Sequence, residues 1–143
     1  MAAAKLILMD PDELLGHERI GTVGVIIVLW KLLRAGSFTH PILIDASSKT
    51  ILDGHHRRAA ARILGLKKIP CWCVEYLTDS SVTLVSRRPE IRVDKKEVVR
   101  RGIVGDLYPR KTTKHEYAVP RSVAFPLSRL RGGARSDEMG YNK

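Results

Sequence analysis

The sequence is short of several residue types. It has no glutamine, one asparagine (Asn142), two cysteines and only 6% aromatic residues. Few thermolabile amides beside 25 Lys and Arg fits a thermophilic source. Long apolar runs are missing too. The longest, Ile20–Leu33, is interrupted by Lys31 and falls short of the roughly 18 residues a membrane span needs. Asp10, Asp12 and Glu13 precede it and no basic segment opens the chain, so it makes a poor signal peptide and the expected address is the cytoplasm, with no membrane partner. Cys71 and Cys73, spaced C-x-C, share one face of a strand. Two thiols are too few for a zinc site and give no disulfide framework, so they are expected as buried thiols packing like small hydrophobes.

Acidic residues are outnumbered, 15 against 25 basic, for a net charge of +10. Residues 1–50 hold five bases and five acids, so the whole surplus lies in residues 51–143. Such asymmetry points to an anionic partner for the second half: nucleic acid, nucleotide or a phosphorylated small molecule. Its plain alternative is a soluble basic surface. The 143 residues suit one compact domain, expected over 1–131, with a polar, Gly-rich, disordered tail over 132–143.

The pattern predicts a small α/β (α+β) domain with short strands. Strands are expected at Lys5–Met9, Pro41–Asp45, Ile51–Leu52, Ile69–Tyr76 and Val82–Val85. Thr22 is expected to cap a helix through Ala35, with Val23, Ile26, Ile27, Trp30 and Leu33 at helical spacing and Gly36 ending it. An Ala-rich helix follows Gly54 and stops at Gly65. Asp94 opens another, with Glu97 in capping-box spacing and an end near Gly102. Gly105–Lys114 reads as a loop, and His115–Val119 and Val123–Leu127 as short extended pieces.

Chemistry concentrates at three places. Leu52-Asp53-Gly54-His55-His56-Arg57-Arg58 lies between a strand and a helix. Gly54 permits a sharp turn and close approach of a ligand, and the amides of His55, His56 and Arg57 start the helix, where free N–H groups and the dipole favour an anion. Asp53 could hold magnesium or orient a hydroxyl. The plain alternative is a strand–turn–helix with exposed cations and Asp53 as the cap. A second cluster, Arg110-Lys111-Thr112-Thr113-Lys114-His115, could grip a phosphate or carboxylate, or be a solvated basic loop. In the third, Gly16-His17-Glu18-Arg19, a carboxylate beside an imidazole could serve as general base, with Glu13 a competitor.

Together these segments, with Pro41-Ile42 and Lys68-Ile69-Pro70, resemble the ParB N-terminal-like (ParB/sulfiredoxin-like) domain. D-G-H-H-R with a later K-T-T-x-H is similar to the free serine kinases. That resemblance implies transfer of the terminal phosphoryl group of ATP or ADP, with Mg2+, to L-serine, giving O-phospho-L-serine in a route to cysteine. It implies Glu18 as the base and Asp53 near the magnesium or the reacting hydroxyl. It implies Gly54, His55, His56, Arg57, Lys111 and Thr112 at nucleotide and phosphate, and Thr113 and His115 at substrate. The interval Arg58–Arg110, 53 residues, is shorter than the family's, and no Trp follows Trp72, which leaves open another alcohol, a pocket completed in a homodimer, or lost catalysis. Monomer and homodimer both remain open.

Rival readings come from other classes. A ParB-like nucleotide- or DNA-binding module fits the basic second half, but the expected single helix near Asp94–Arg101 is too little for a helix-turn-helix. A sulfiredoxin-like reductase needs a cysteine in the phosphate-binding turn, where this chain has His55-His56.

Overall fold

Strand β1 (Lys5–Met9) leads through a single 3-10 turn (Pro11–Glu13) and a loop to helix α1 (Thr22–Ala35) in the computed structural model, which describes residues 4–132. Then come β2 (Ser37–Phe38), β3 (Ile42–Asp45), β4 (Ile51–Asp53), α2 (His55–Ile63), β5 (Ile69–Val74), β6 (Thr83–Ser86), α3 (Lys95–Val104), β7 (Thr113–Glu116), β8 (Phe125–Pro126) and α4 (Leu127–Arg131). The tail expected at the C-terminus lies, from residue 133 on, outside the described residues.

The main sheet has the order β1-β5-β3-β4. β5 pairs parallel with β3 and antiparallel with β1, while β3 and β4 form a hairpin. Because β5 is central, every one of its residues is buried, which is why its sequence lacks polar alternation. Its side chains still divide by parity. Cys71 and Cys73 join Ile42, Ile44, Ile51, Ala60, Ala61 and Leu32 in one core layer. Trp72 and Val74 join Leu43, Leu52, Tyr76, Val82, Val98 and Tyr108 in the other. Each fully buried Ile or Leu contributes about 1.5–3 kcal/mol of hydrophobic stabilisation. Both cysteines are free and buried, and burial pushes both thiols up from their usual pKa, as expected for packing rather than redox chemistry.

The expected elements recur with local corrections. α1 has the expected bounds, but Gly21 is its cap and Thr22 its first residue. The residues picked out by helical spacing face outward: Val23 is 71% and Trp30 60% exposed, and Ile26, Ile27 and Leu33 are exposed as well. The inward side is Val25 and Leu32, with Val28 and Leu29 partly buried. A helix apolar nearly all round lets spacing alone pick the wrong side. Asp94 caps α3 by accepting from the Glu97 amide at 2.8 Å. That helix runs past Gly102 to Gly105, whose positive φ of 78° closes it. A Cβ on Gly102 would lie 2.9 Å from Thr50, so this glycine serves close packing. The strand expected to reach Tyr76 ends at Val74, and Leu127 begins α4 rather than ending an extended piece.

Candidate active site

Three loops converge on one cleft of about 650 Å³. The segment before α1 is held by backbone pairing: Tyr108 N–H donates to His17 O at 2.9 Å and Arg19 N–H to Tyr108 O at 2.8 Å. This pairing sets Glu18 against the loop that opens β7. There Glu18 Oε1 accepts from the Thr113 amide (2.8 Å) and the Thr113 hydroxyl (2.7 Å), and Oε2 accepts from the Lys111 amide (3.1 Å). Lys111 adopts φ 57°, a left-handed conformation that costs a non-glycine residue on the order of 1 kcal/mol or more. The second and third sequence clusters, more than ninety residues apart, therefore meet at the Glu18 carboxylate.

α2 supplies another wall. Its cap is Gly54, at φ 119°, and no side chain caps it. Asp53 is not the cap. The amides of His55, His56 and Arg57 are thus left without intrahelical acceptors at the cleft, as an anion site requires. A Cβ on Gly54 would lie 2.8 Å from Ile42, so only glycine fits both the backbone and the space. Arg57 donates to the carbonyls of His40 and Pro41 and pairs with Asp53 at 3.3 Å, fixing the turn from behind.

The histidines are not the cations a basic motif would imply. His55 Nε2 accepts from the His17 amide at 3.1 Å, and burial, with His17, Arg58, His115 and His56 nearby, holds it well below the usual pKa. His115 bonds Tyr76 Oη at 2.7 Å, and burial lowers its pKa to about 3. His56 Nε2 takes a long bond from the Gly21 amide, 3.4 Å; burial lowers its pKa, against the pull of Glu18.

Asp53, His55, His56, Arg57, Lys111, Thr113 and His115 all line the cleft with Glu18 and Gly54. Thr112 does not: it is fully buried and its hydroxyl donates to Pro109 O at 2.6 Å, shaping the loop. Thr113 lines the cleft but commits its hydroxyl and amide to Glu18. Glu13 sits in the 3-10 turn, outside the cleft lining. Sequence reading passed over Gly24 and Arg87, which line the cleft as well, beside Arg110 of the second cluster. Gly24 carried a signal: a glycine inside a helix marks a close approach, here of the His56 ring.

Among the described residues no group of three His, Cys, Asp or Glu could hold a metal. Asp53, its side chain 64% exposed, is the carboxylate open to solvent at the cleft. One such carboxylate suits a magnesium ion held largely by phosphates and water, the usual arrangement for a nucleotide-borne ion. A neighbouring cavity of about 630 Å³ shares Asp53 and Arg57 with the cleft. It is lined by Phe38, Val28 and Trp72, whose indole N–H is buried without a partner. Among the described residues no helix is long and apolar enough to cross a membrane.

No known protein-family profile matches the chain. An ATP-dependent L-serine kinase of Desulfurococcus mucosus is 32% identical over 105 residues, covering 68% of this chain and 41% of the relative. One of Staphylothermus marinus is 34% identical over 89 residues, covering 59% and 35%. A ParB-like protein of Sulfolobus acidocaldarius is 36% identical over 76 residues, covering 53% and 38%. The chain thus spans between 35% and 41% of the length of these curated relatives. A solved free serine kinase in complex with AMP superposes with a TM-score of 0.77 at 16% identity, covering 91% of this chain and 95% of that one. SbnI from Staphylococcus aureus, truncated at its C-terminus, superposes with a TM-score of 0.76 at 14% identity, covering 90% of each. The fold, a small mixed sheet flanked by helices, is that of the free serine kinases and SbnI.

Proposed function

We propose that the chain is a phosphotransferase that moves the terminal phosphoryl group of ATP to the hydroxyl of free L-serine, giving O-phospho-L-serine. The observation that carries this reading is the placement of Glu18. It is a carboxylate fixed by two amides and a hydroxyl, in the same cleft as the uncapped N-terminus of α2. Phosphoryl transfer asks a protein mainly to position reactants and neutralise charge, and to supply a group that orients the nucleophile. The α2 amides, Lys111 and Arg110 take the phosphates, and Glu18 takes the serine proton. Asp53 is the residue to hold magnesium, which would neutralise charge on the phosphates. The neighbouring cavity, with its apolar walls, suits the nucleoside end.

Two relatives named ATP-dependent L-serine kinase support the reading of ATP as donor and L-serine as acceptor. The product fits a route to cysteine, as the resemblance implies. The test is phosphate transfer from labelled ATP and labelled ADP with magnesium at elevated temperature, offering L-serine, L-threonine, L-homoserine or no acceptor. Phosphoserine formed with serine alone is the expected result. Nucleotide bound without transfer to any acceptor would overturn it in favour of a ParB-like binding module.

A further inference from the structure

His17 is fully buried, yet both its ring nitrogens are engaged. Nδ1 lies 2.7 Å from Ile51 O, and Nε2 lies 2.9 Å from Thr113 Oγ1, which is itself 2.7 Å from Glu18 Oε1. A carbonyl only accepts, so Nδ1 carries a hydrogen. The two remaining links need two hydrogens, and the Thr113 hydroxyl owns one. The other must be a titratable proton, on Nε2 or on Oε1.

We propose that His17 and Thr113 form one proton-holding unit with Glu18, in which His17 is a positioning residue that sets whether Glu18 faces the cleft as a carboxylate. This inference rests on the phosphotransferase reading for its consequence, but not for its geometry. With the proton on His17, Nε2–H donates to Oγ1, Oγ1–H donates to Oε1, and Glu18 is charged. Moving both hydrogens one link breaks Nε2–H and Oγ1–H and forms a new Oγ1–H and Oε1–H, leaving neutral imidazole and neutral acid. No further reactant is involved. In the transfer, the serine O–H bond breaks as its oxygen bonds phosphorus, and the leaving nucleotide keeps the electron pair of the broken P–O bond. The proton goes to Oε2, which accepts only the Lys111 amide and retains a lone pair. Only the carboxylate form provides this base.

The surroundings set the two placements against each other. Burial lowers the His17 pKa, while the Ile51 carbonyl and Glu18 raise it. The rings of His55, His115 and Tyr108 face His17 at 4.6, 5.6 and 6.2 Å. His55 and His115 are kept neutral by burial. Beside Glu18 stand His56 and Lys111.

The test is an NMR titration of the His17 ring nitrogens and the Glu18 carboxyl carbon from about pH 4 to 9, in wild type, Thr113→Val and Thr113→Ser. Wild type is expected to show one joint step at both residues, split by valine and restored by serine. Independent midpoints in wild type overturn the unit, whether or not the variants fold. A kinetic arm follows kcat for phosphoserine formation. His17→Gln is expected to lower kcat about tenfold or more with the nucleotide KM little changed, and to add nothing in Thr113→Val. Losses that multiply overturn the linkage. A joint titration in a wild-type protein that makes no phosphoserine would leave the unit standing and refute the serine kinase reading alone.

Discussion

Replacing Gly24 by alanine separates the needs of α1 from those of the cleft. The new Cβ would lie 2.6 Å from both Cδ2 and Nε2 of His56, closer than any real Cβ contact, so the ring must move. On the helix side, alanine is favoured over glycine by about 1 kcal/mol. On the other side, the His56 bond from the Gly21 amide, long at 3.4 Å, contributes at most about 0.5–1.5 kcal/mol. A displaced rotamer costs about 0.5–1.5 kcal/mol more. The atoms that give way are the end of a half-buried side chain, not backbone. The net change in stability is therefore expected within about 1–2 kcal/mol of wild type. The consequence falls on the cleft, because the ring stands at the uncapped start of α2. Nucleotide affinity is expected to fall about tenfold, equivalent to about 1.4 kcal/mol. Urea unfolding and calorimetric titration with ATP measure the two effects separately. Affinity unchanged within about twofold would refute the placement of the phosphates at the start of α2, where the His56 ring is displaced, since tenfold is the change a disturbed contact should give.

Stability is expected to fall in mild acid. The folded-state pKa values of His55 and His115 are depressed, that of His115 to about 3, so below the ordinary value of 6.5 the unfolded chain takes up protons that the folded chain refuses. The loss runs downward from pH 6.5 at about 1.4 kcal/mol per pH unit for each such histidine, until its folded pKa is reached. Urea midpoints across that range measure it, and His115→Phe should flatten the slope by about one proton. A midpoint flat between pH 6.5 and 4 would contradict the buried, neutral assignment. Arg57→Ala removes the donor to His40 and Pro41 and the partner of Asp53. It is expected to destabilise by about 1–3 kcal/mol and to weaken nucleotide binding. Undiminished affinity would remove the α2 turn from the phosphate site.

What the sequence made legible follows the length of each signal. α1 and α2 carry glycine stops at Gly36 and Gly65, both of positive φ, and α3 carries an Asp94 cap, so these helices were readable. β5 was readable as a β-rich run. β2, β8 and α4 have two, two and five residues, too few for any period to show. The inward side of α1 was not readable, because its outward side is just as apolar. At the site, the residue types of D-G-H-H-R and K-T-T-x-H identified the cleft, but not the protonation or direction of their side chains. The histidines looked like phosphate donors; burial makes them neutral and turns their nitrogens to Tyr76, His17 and Gly21. The Glu18–Thr113–His17 line joins residues as many as 96 positions apart, a link no local pattern holds.

The most direct measurement follows phosphoserine formation and nucleotide binding on the same preparations of wild type and Glu18→Gln. Glutamine keeps the size of the side chain but turns an NH2 toward amides that need an acceptor, and it takes no proton from a hydroxyl. The account predicts that wild type makes phosphoserine, and that the variant binds ATP within about threefold of wild type and makes none. Transfer by Glu18→Gln at the wild-type rate would contradict the central role given to Glu18.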